Sequence, residues 1–262
     1  MATESTVTAM TALPRRHLGK LLIVAGIALA LLYFSAQSPV LKALLQWSPA
    51  LAAGFAQNIL ISLVAIGLGS LLGLLVGALA LSPLRLMRLP AQIWVQVFRN
   101  APWLVLIYFT TNVFPFEIRI AGTYVAFPDW VKVTLGLALP ASANVAEIFR
   151  GAVASIPATQ WEAARSLAFT RGQIFRSIIL PQCFKRMLPP WMNLYAVITM
   201  GTALASLVGV HDVIDTAQIA SNTVNMTGFT VVIYFSLLAL FFVYCYPISR
   251  LTRRLERRYA FY

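Results

Sequence analysis

The chain has 262 residues, 60% of them hydrophobic and only 11% charged. A soluble core of that length has no room for so many leucines and isoleucines, so an ordinary globular protein is excluded and an integral membrane protein is indicated. The net charge of +12 invites nucleic acid as a partner, but the 20 Lys and Arg residues gather in the gaps between apolar runs, where cytoplasmic loops carry them; no nucleic-acid partner is expected.

In chain order, apolar runs predict spans at about 18–36, 55–81, 91–113, 131–149, 190–209 and 227–249, each near the ~20 residues that cross a hydrocarbon core. The expected fold class is therefore an all-α integral membrane protein with about six transmembrane helices. The first span follows basic residues and ends in "FSAQSP", as a cleaved leader would, but its apolar stretch is long for that and it is expected to be retained. The third and fourth are weaker: one holds Arg99, Asn100 and Pro102, the other Pro140, Asn144 and Glu147.

Charge gives the direction. Arg15, Arg16 and Lys20, Arg85 and Arg88, the loop cations from Arg150 to Arg186, and Arg250, Arg253, Arg254, Arg257 and Arg258 fall on alternate loops; the other side has Lys42, Arg119 and Lys132. The asymmetry predicts that both termini are cytoplasmic. The division expected is 1–50 for the tail, first span and outer loop, 51–250 for the main membrane domain, and 251–262 for a basic tail that holds the anionic inner leaflet or simply anchors topology.

The longest inner loop, about 150–189, contains "TQWEAARSLAFTRGQIFRSIILPQ". Thr159 stands three residues before Glu162, the spacing of a reciprocal cap between hydroxyl and carboxylate, and Thr170 with Gln173 repeats it. Two short helices are expected, the second carrying Ile174, Ile178 and Ile179 and stopped by Pro181. Ala163 and Ala164 offer a surface that another can approach closely. Such an element either rests on the membrane surface or docks a cytoplasmic partner.

Glu162-Ala163-Ala164, followed at the expected spacing by Ile178, Leu180 and Pro181, resembles the E-A-A loop of bacterial ABC importer permeases. "VFRNAPWLVLIYF", "NVAEIFRGAVASIPATQWEAARSL", "ILPQCFKRMLPP" and "ASLVGVHDVIDTAQ" resemble, in order, the histidine/glutamine type of the polar amino-acid uptake branch. The resemblance covers about residues 55–250. It implies a five-helix type I importer core plus an extra N-terminal span, with coupling helices in the loop before the fifth span. The implied function is translocation of polar amino acids, or derivatives such as opines, across a bacterial inner membrane.

The implied partners are an ATP-binding subunit in two copies, a second permease chain (identical or related), an extracytoplasmic solute-binding protein, and membrane lipid. Glu162, Ala163, Ala164, Arg165, Ala168 and Arg171 would make the ATPase contact. Ala168 stands where the family usually has glycine; a left-handed turn there would cost alanine about 1–2 kcal/mol, so a slightly different local path is expected. Before Ser206 the relatives commonly read Lys-Asp-Thr or Lys-Asn-Thr, whereas this chain has Met200-Gly201-Thr202, which points to a shifted substrate range.

No G-x-x-x-x-G-K-[ST] phosphate loop is present, since Gly19-Lys20 is followed by leucine. The chain is therefore not expected to be an enzyme, and no cofactor is expected. An ion-gradient-driven carrier or channel is the competing reading, disfavoured by the scarcity of ionisable residues inside the spans; a membrane scaffold that only recruits a partner is a third. Arg99 and Glu147 either line the pathway, face a partner chain, or snorkel to the inner interface. Asn100, Asn144, Thr202 and Ser206 are candidates for a neutral polar lining. His211, Asp212 and Asp215 are expected to be solvated on an outer loop that meets the solute-binding protein, not to bind metal. Cys183 and Cys245 are expected to be packing residues with no disulfide between them.

Overall fold

The computed structural model describes residues 38–120 and 122–259. The expected first span, 18–36, lies outside them. Helix α1 runs Pro39–Ala80, α2 Arg85–Asn100, α3 Trp103–Val113 and α4 Asp129–Ala154. Helix α5 is Ala158–Ser166 and α6 the single turn Arg171–Gln173. A π-helical segment Ile174–Ile179 leads into α7, Leu180–Gly201, and a 3-10 segment Thr202–Val208. Helices α8, Val213–Val224, and α9, Thr227–Tyr259, complete the chain.

Among the described residues, three helical stretches are long and apolar enough to cross a membrane: Pro39–Ala80, Arg171–Val208 and Thr227–Arg258. The sequence expectations hold in outline and fail in detail at several places. At 42 residues, α1 is about 63 Å long at 1.5 Å per residue, so the outer loop expected before residue 51 is helical from Pro39 on. Ser38 caps it by accepting from the Leu41 amide at 3.2 Å. Pro49 cannot donate to the Leu45 carbonyl, and the Ser48 hydroxyl does so instead at 2.8 Å.

The expected third span is two helices, because Pro102 disfavours helix at Ala101, which is extended at ψ 137. The fold is also not wholly helical. Strands β1, Glu117–Ile120, and β2, Thr123–Ala126, form an antiparallel hairpin that pairs Glu117 with Ala126. Lys132, expected in an outer segment, is fully enclosed: its ammonium lies 2.9 Å from Asp129 and 4.1 Å from the centre of the Phe116 ring. Helix α8 replaces an expected loop.

Helix α4, although it carries Pro140, Asn144 and Glu147, sits at the centre of the bundle. Val133, Leu137, Ala141 and Ala143 have no exposed surface. It packs parallel to α1 through Gly69, Gly73 and Gly77. A Cβ on Gly69 would lie 2.5 Å from the Ala141 Cβ, one on Gly73 2.5 Å from the Ser142 carbonyl, and one on Gly77 2.9 Å from the Phe149 ring. In lipid, where apolar side chains gain little by leaving tails for one another, such close backbone approach is what holds helices together.

Two further clusters flank this seam. Leu51 and Phe55 of α1 pack with Val213, Ala217, Phe229 and Ile233 of α8 and α9. At the other end, Phe149, Ile156, Ala164, Ile174, Ile179 and Cys183 join the end of α4 to the loop helices. Replacing Gly73 by valine is expected to destabilise the protein by about 1–3 kcal/mol through overpacking. Gly67→Val, at a site with nothing within 4 Å, is the matched control; thermal unfolding in detergent reads both.

Candidate functional site

The loop module differs from its sequence reading at the first cap. Helix α5 begins at Ala158 after Pro157, with no side-chain cap. Thr159 lies inside the first turn, and Glu162 is exposed instead of returning to an amide. Pro157 itself takes the N-cap position and its carbonyl accepts from the Gln160 amide at 3.0 Å, so Thr159 falls past the cap. The second cap forms as expected: the Gln173 amide donates to Thr170 Oγ1 at 3.4 Å, and the Thr170 amide donates to Gln173 Oε1 at 2.9 Å.

The turn between them is left-handed. Ala168 has φ 57, so the path does not deviate to spare it, contrary to the expectation from its missing glycine. The Phe169 amide reaches the Ala164 carbonyl at 3.2 Å and the Ala168 amide reaches that of Arg165 at 2.9 Å, the paired closure of a Schellman motif. Alanine is held in this conformation by the closure around it. The same pair of bonds ends the 3-10 segment, from Val210 to Ala205 and Gly209 to Ser206, with Gly209 at φ 82.

Pro181 does not stop the helix. It occupies the first turn of α7, and the π-helical winding just before it opens the backbone where its ring would otherwise meet the preceding turn. Residues 171–208 are thus one helical stretch, with the loop module built onto its Arg171 end. Ala164 is only 3% exposed and packs in the inner cluster, so its small size serves the module's own core. The outward surface is made by Glu162, Ala163, Arg165, Arg171 and the exposed Leu167 and Phe169. Arg186 ties the end of α4 to the rod by donating to the Ser155 carbonyl and hydroxyl at 2.9 and 3.0 Å.

The polar residues of the spans are not gathered into one lining. Arg99 reaches Glu147 at 3.5 Å, and Glu147 is held on both oxygens by Arg150, at 3.1 and 2.8 Å. Asn100 is exposed and donates to the Gln96 carbonyl at 2.7 Å. Asn144 and Ser206 bond back to Pro140 and Ala203 on their own helices, at 2.8 and 3.0 Å. Thr202 has no exposed surface and so faces no path. Gly201 is filled over by the Trp103 indole, whose Cζ3 would lie 2.8 Å from a Cβ there; an aspartate at that position would have to displace the ring.

Thr202 belongs to a network that the sequence reading missed. Asn58, buried in α1, donates to Thr202 Oγ1 and to Asp212 Oδ2, each at 3.0 Å, and accepts from the Val213 amide at 3.0 Å. Asp212 caps α8 by accepting from the Ile214 and Asp215 amides at 2.9 Å. It is fully buried, not solvated, because those bonds replace water. Burial pushes its carboxyl above the usual range, opposed by the hydrogen bonds from Asp215, Asn58 and Ile214.

The network breaks up the outer trio. His211 is exposed and pairs with Asp215 at 2.7 Å, while Asp212 points inward. Among the described residues no cluster of three metal-type side chains forms. A cavity of about 470 Å³ between α1, α4 and α7 is lined by Leu74, Val145, Phe149, Leu180 and Trp191. Its one hydroxyl, on Ser70, is taken by the Trp191 indole at 2.8 Å, so it suits no polar solute.

Residues 65–261 match the family described as binding-protein-dependent transport system inner membrane component. A probable amino-acid ABC transporter permease of Bacillus subtilis strain 168 is 29% identical over 218 residues, covering 82% of this chain and 91% of that protein. An octopine transport system permease of Rhizobium radiobacter is 29% identical over 212 residues, with 79% and 84% covered. The crystal structure of an amino acid ABC transporter with histidines superposes with a TM-score of 0.74 at 27% identity, covering 85% of this chain and 99% of that one. A methionine ABC transporter in an inward-facing conformation shares the fold, with a TM-score of 0.61 at 21% identity and 80% and 96% covered. The chain belongs to the inner-membrane components of binding-protein-dependent transport systems, a permease and not a catalytic subunit.

Proposed function

We propose that this permease moves polar amino acids, or derivatives such as opines, received from an extracytoplasmic solute-binding protein. The work comes from ATP hydrolysis on a separate subunit present in two copies, and a second permease chain completes the pathway. The reading has six spans, counting residues 18–36, with both termini cytoplasmic. It is supported by the family match and by the names of its relatives.

One observation carries the mechanical part: the loop module is continuous with a membrane-length rod. In this reading α5 seats on the ATPase subunit. Ala163 allows close approach, Glu162, Arg165 and Arg171 make charged contacts at its rim, and Leu167 and Phe169 supply apolar contact. Ala164 and Ala168 act from within, by packing the helix and by setting its exit. Closure of the nucleotide-binding subunits pushes the module, and the rod transmits the displacement to the bundle, switching it between inward- and outward-facing states. His211 and Asp215 lie on the side that meets the solute-binding protein.

The test is site-directed cross-linking in the assembled complex. Ala163→Cys is expected to cross-link to the ATPase subunit and Ala164→Cys to react far less, because it faces the inner cluster. Failure of every outward position on α5 to capture that subunit, in a complex that still transports, removes the proposal. Ala168→Gly is expected to stabilise the turn by about 0.5–1 kcal/mol, the left-handed strain relieved less the entropy that glycine loses. Hydrogen exchange at the Phe169 amide reads this as a severalfold slowing.

A further inference from the structure

Helix α2 has three faces where an ordinary membrane helix has two. Ala91 and Val95 are buried against α1 and α4. Leu86, Leu89, Ile93 and Val97 recur at three- and four-residue spacing and are all exposed, an apolar stripe suited to lipid. Gln92, Gln96 and Arg99 form a third stripe, also exposed, with Asn100 at its edge. A guanidinium and two amides set against hydrocarbon would be costly, so this stripe faces water or another polar surface.

Arg99 lies in the last turn of α2, just before the break at Ala101, and its neighbours place that break over the middle of α4. Trp94 Nε1 donates to Ser142 Oγ at 3.0 Å, Arg99 reaches Glu147, and Trp103 lies against Gly201. Leu137, also near Gly201, is about 12 Å from the Asp129 end of α4, and Glu147 about 27 Å, at 1.5 Å per residue. Discontinuous helices at mid-depth are where transporters build solute sites.

Arg99 is also poorly engaged. Its side chain is 52% exposed and holds Glu147 by one contact of 3.5 Å, whereas Arg150 occupies both oxygens of the same carboxylate. Glu147 holds Arg99 without consuming its fork of donors. A free carboxylate arriving there can take two parallel N–H bonds from it.

We propose that Arg99 is a solute-binding residue: it takes the carboxylate of the transported amino acid at the α2–α3 break, exchanging its contact with Glu147 for the incoming anion. Gln92 and Gln96 continue the same polar track along α2. The inference rests on the transport reading above and adds to it the group that is recognised.

The test uses the complex of this chain with its ATPase subunit in detergent, without the solute-binding protein. Binding of radiolabelled L-glutamine, L-arginine and octopine is measured, with the carboxyl methyl esters of the two amino acids as competitors. The wild type is expected to bind at least one free acid and to favour glutamine or arginine over its ester at least tenfold. Arg99→Gln is expected to lose at least tenfold affinity for the acid and to stop distinguishing it from the ester. Arg99→Lys keeps part of the preference, while Glu147→Gln binds the acid as tightly as the wild type or more so.

Four results overturn the inference: no binding of any of the three by the wild type, equal binding of acid and ester, unchanged affinity in Arg99→Gln, or equal losses in Arg99→Gln and Glu147→Gln. The last marks a structural ion pair. A spontaneous disulfide between Gln96→Cys in two copies of the chain would assign the stripe to subunit pairing and overturn it also. Failure of the wild-type chain to assemble with an ATPase subunit would instead strike the transport reading.

Discussion

The structure depends on one contact that carries no charge and buries no large side chain. Along the α1–α4 seam, Gly69, Gly73 and Gly77 let two backbones come closer than any Cβ would permit. Inside a bilayer the hydrophobic effect separates helices from water, not from lipid, so specificity between helices has to come from shape and from polar bonds. The seam supplies the shape. It also explains why α4, interrupted by Pro140 and carrying Asn144 and Glu147, can lie at the centre: its small residues face α1, and its polar groups are satisfied within the bundle.

Polar bonds between elements add to that shape. Asn58 uses both amide protons and its carbonyl oxygen to hold α1, the 3-10 segment and α8 together. Where the rod enters the loop module, a formed cap at Thr170, a π-helical stretch and Pro181 follow one another without a break in helical winding. A force applied at α5 passes to the rod through the closed turn at Ala168 and through Ala164, which packs against Ile174 and Ile179. The stiffness of this path, more than any single side chain, is what the coupling account requires.

Much of this was legible in the residues. The apolar runs locate the long helices, and Thr170 with Gln173 announces its own cap. The first cap lies two residues earlier than its spacing suggests, because Pro157 takes the N-cap position and leaves Thr159 inside the first turn. The left-handed turn at Ala168 was legible as a requirement and hidden as an outcome, since alanine adopts it only under the closure from Arg165 and Ala164. Pro181 read as a stop because π-helical relief has no sequence signature. The seam glycines stand at four-residue spacing, and Asn58 interrupts a run of apolar residues, but neither pattern names the helix it meets. Asp212 was read as solvated because its partner lies 154 positions away.

The most direct test of the central claim, that the loop module and the rod move as one body, is a pair of distances. Spin labels at Ala163→Cys and Leu207→Cys, with Cys245 replaced by serine, report the distance along the rod in the assembled transporter. A label at 163 and its counterpart on the opposite permease report the distance across it. On adding ATP with vanadate, the account predicts that the first distance stays the same while the second shortens. A changed 163–207 distance with an unchanged distance across the complex would show the loop flexing by itself, and would contradict the account.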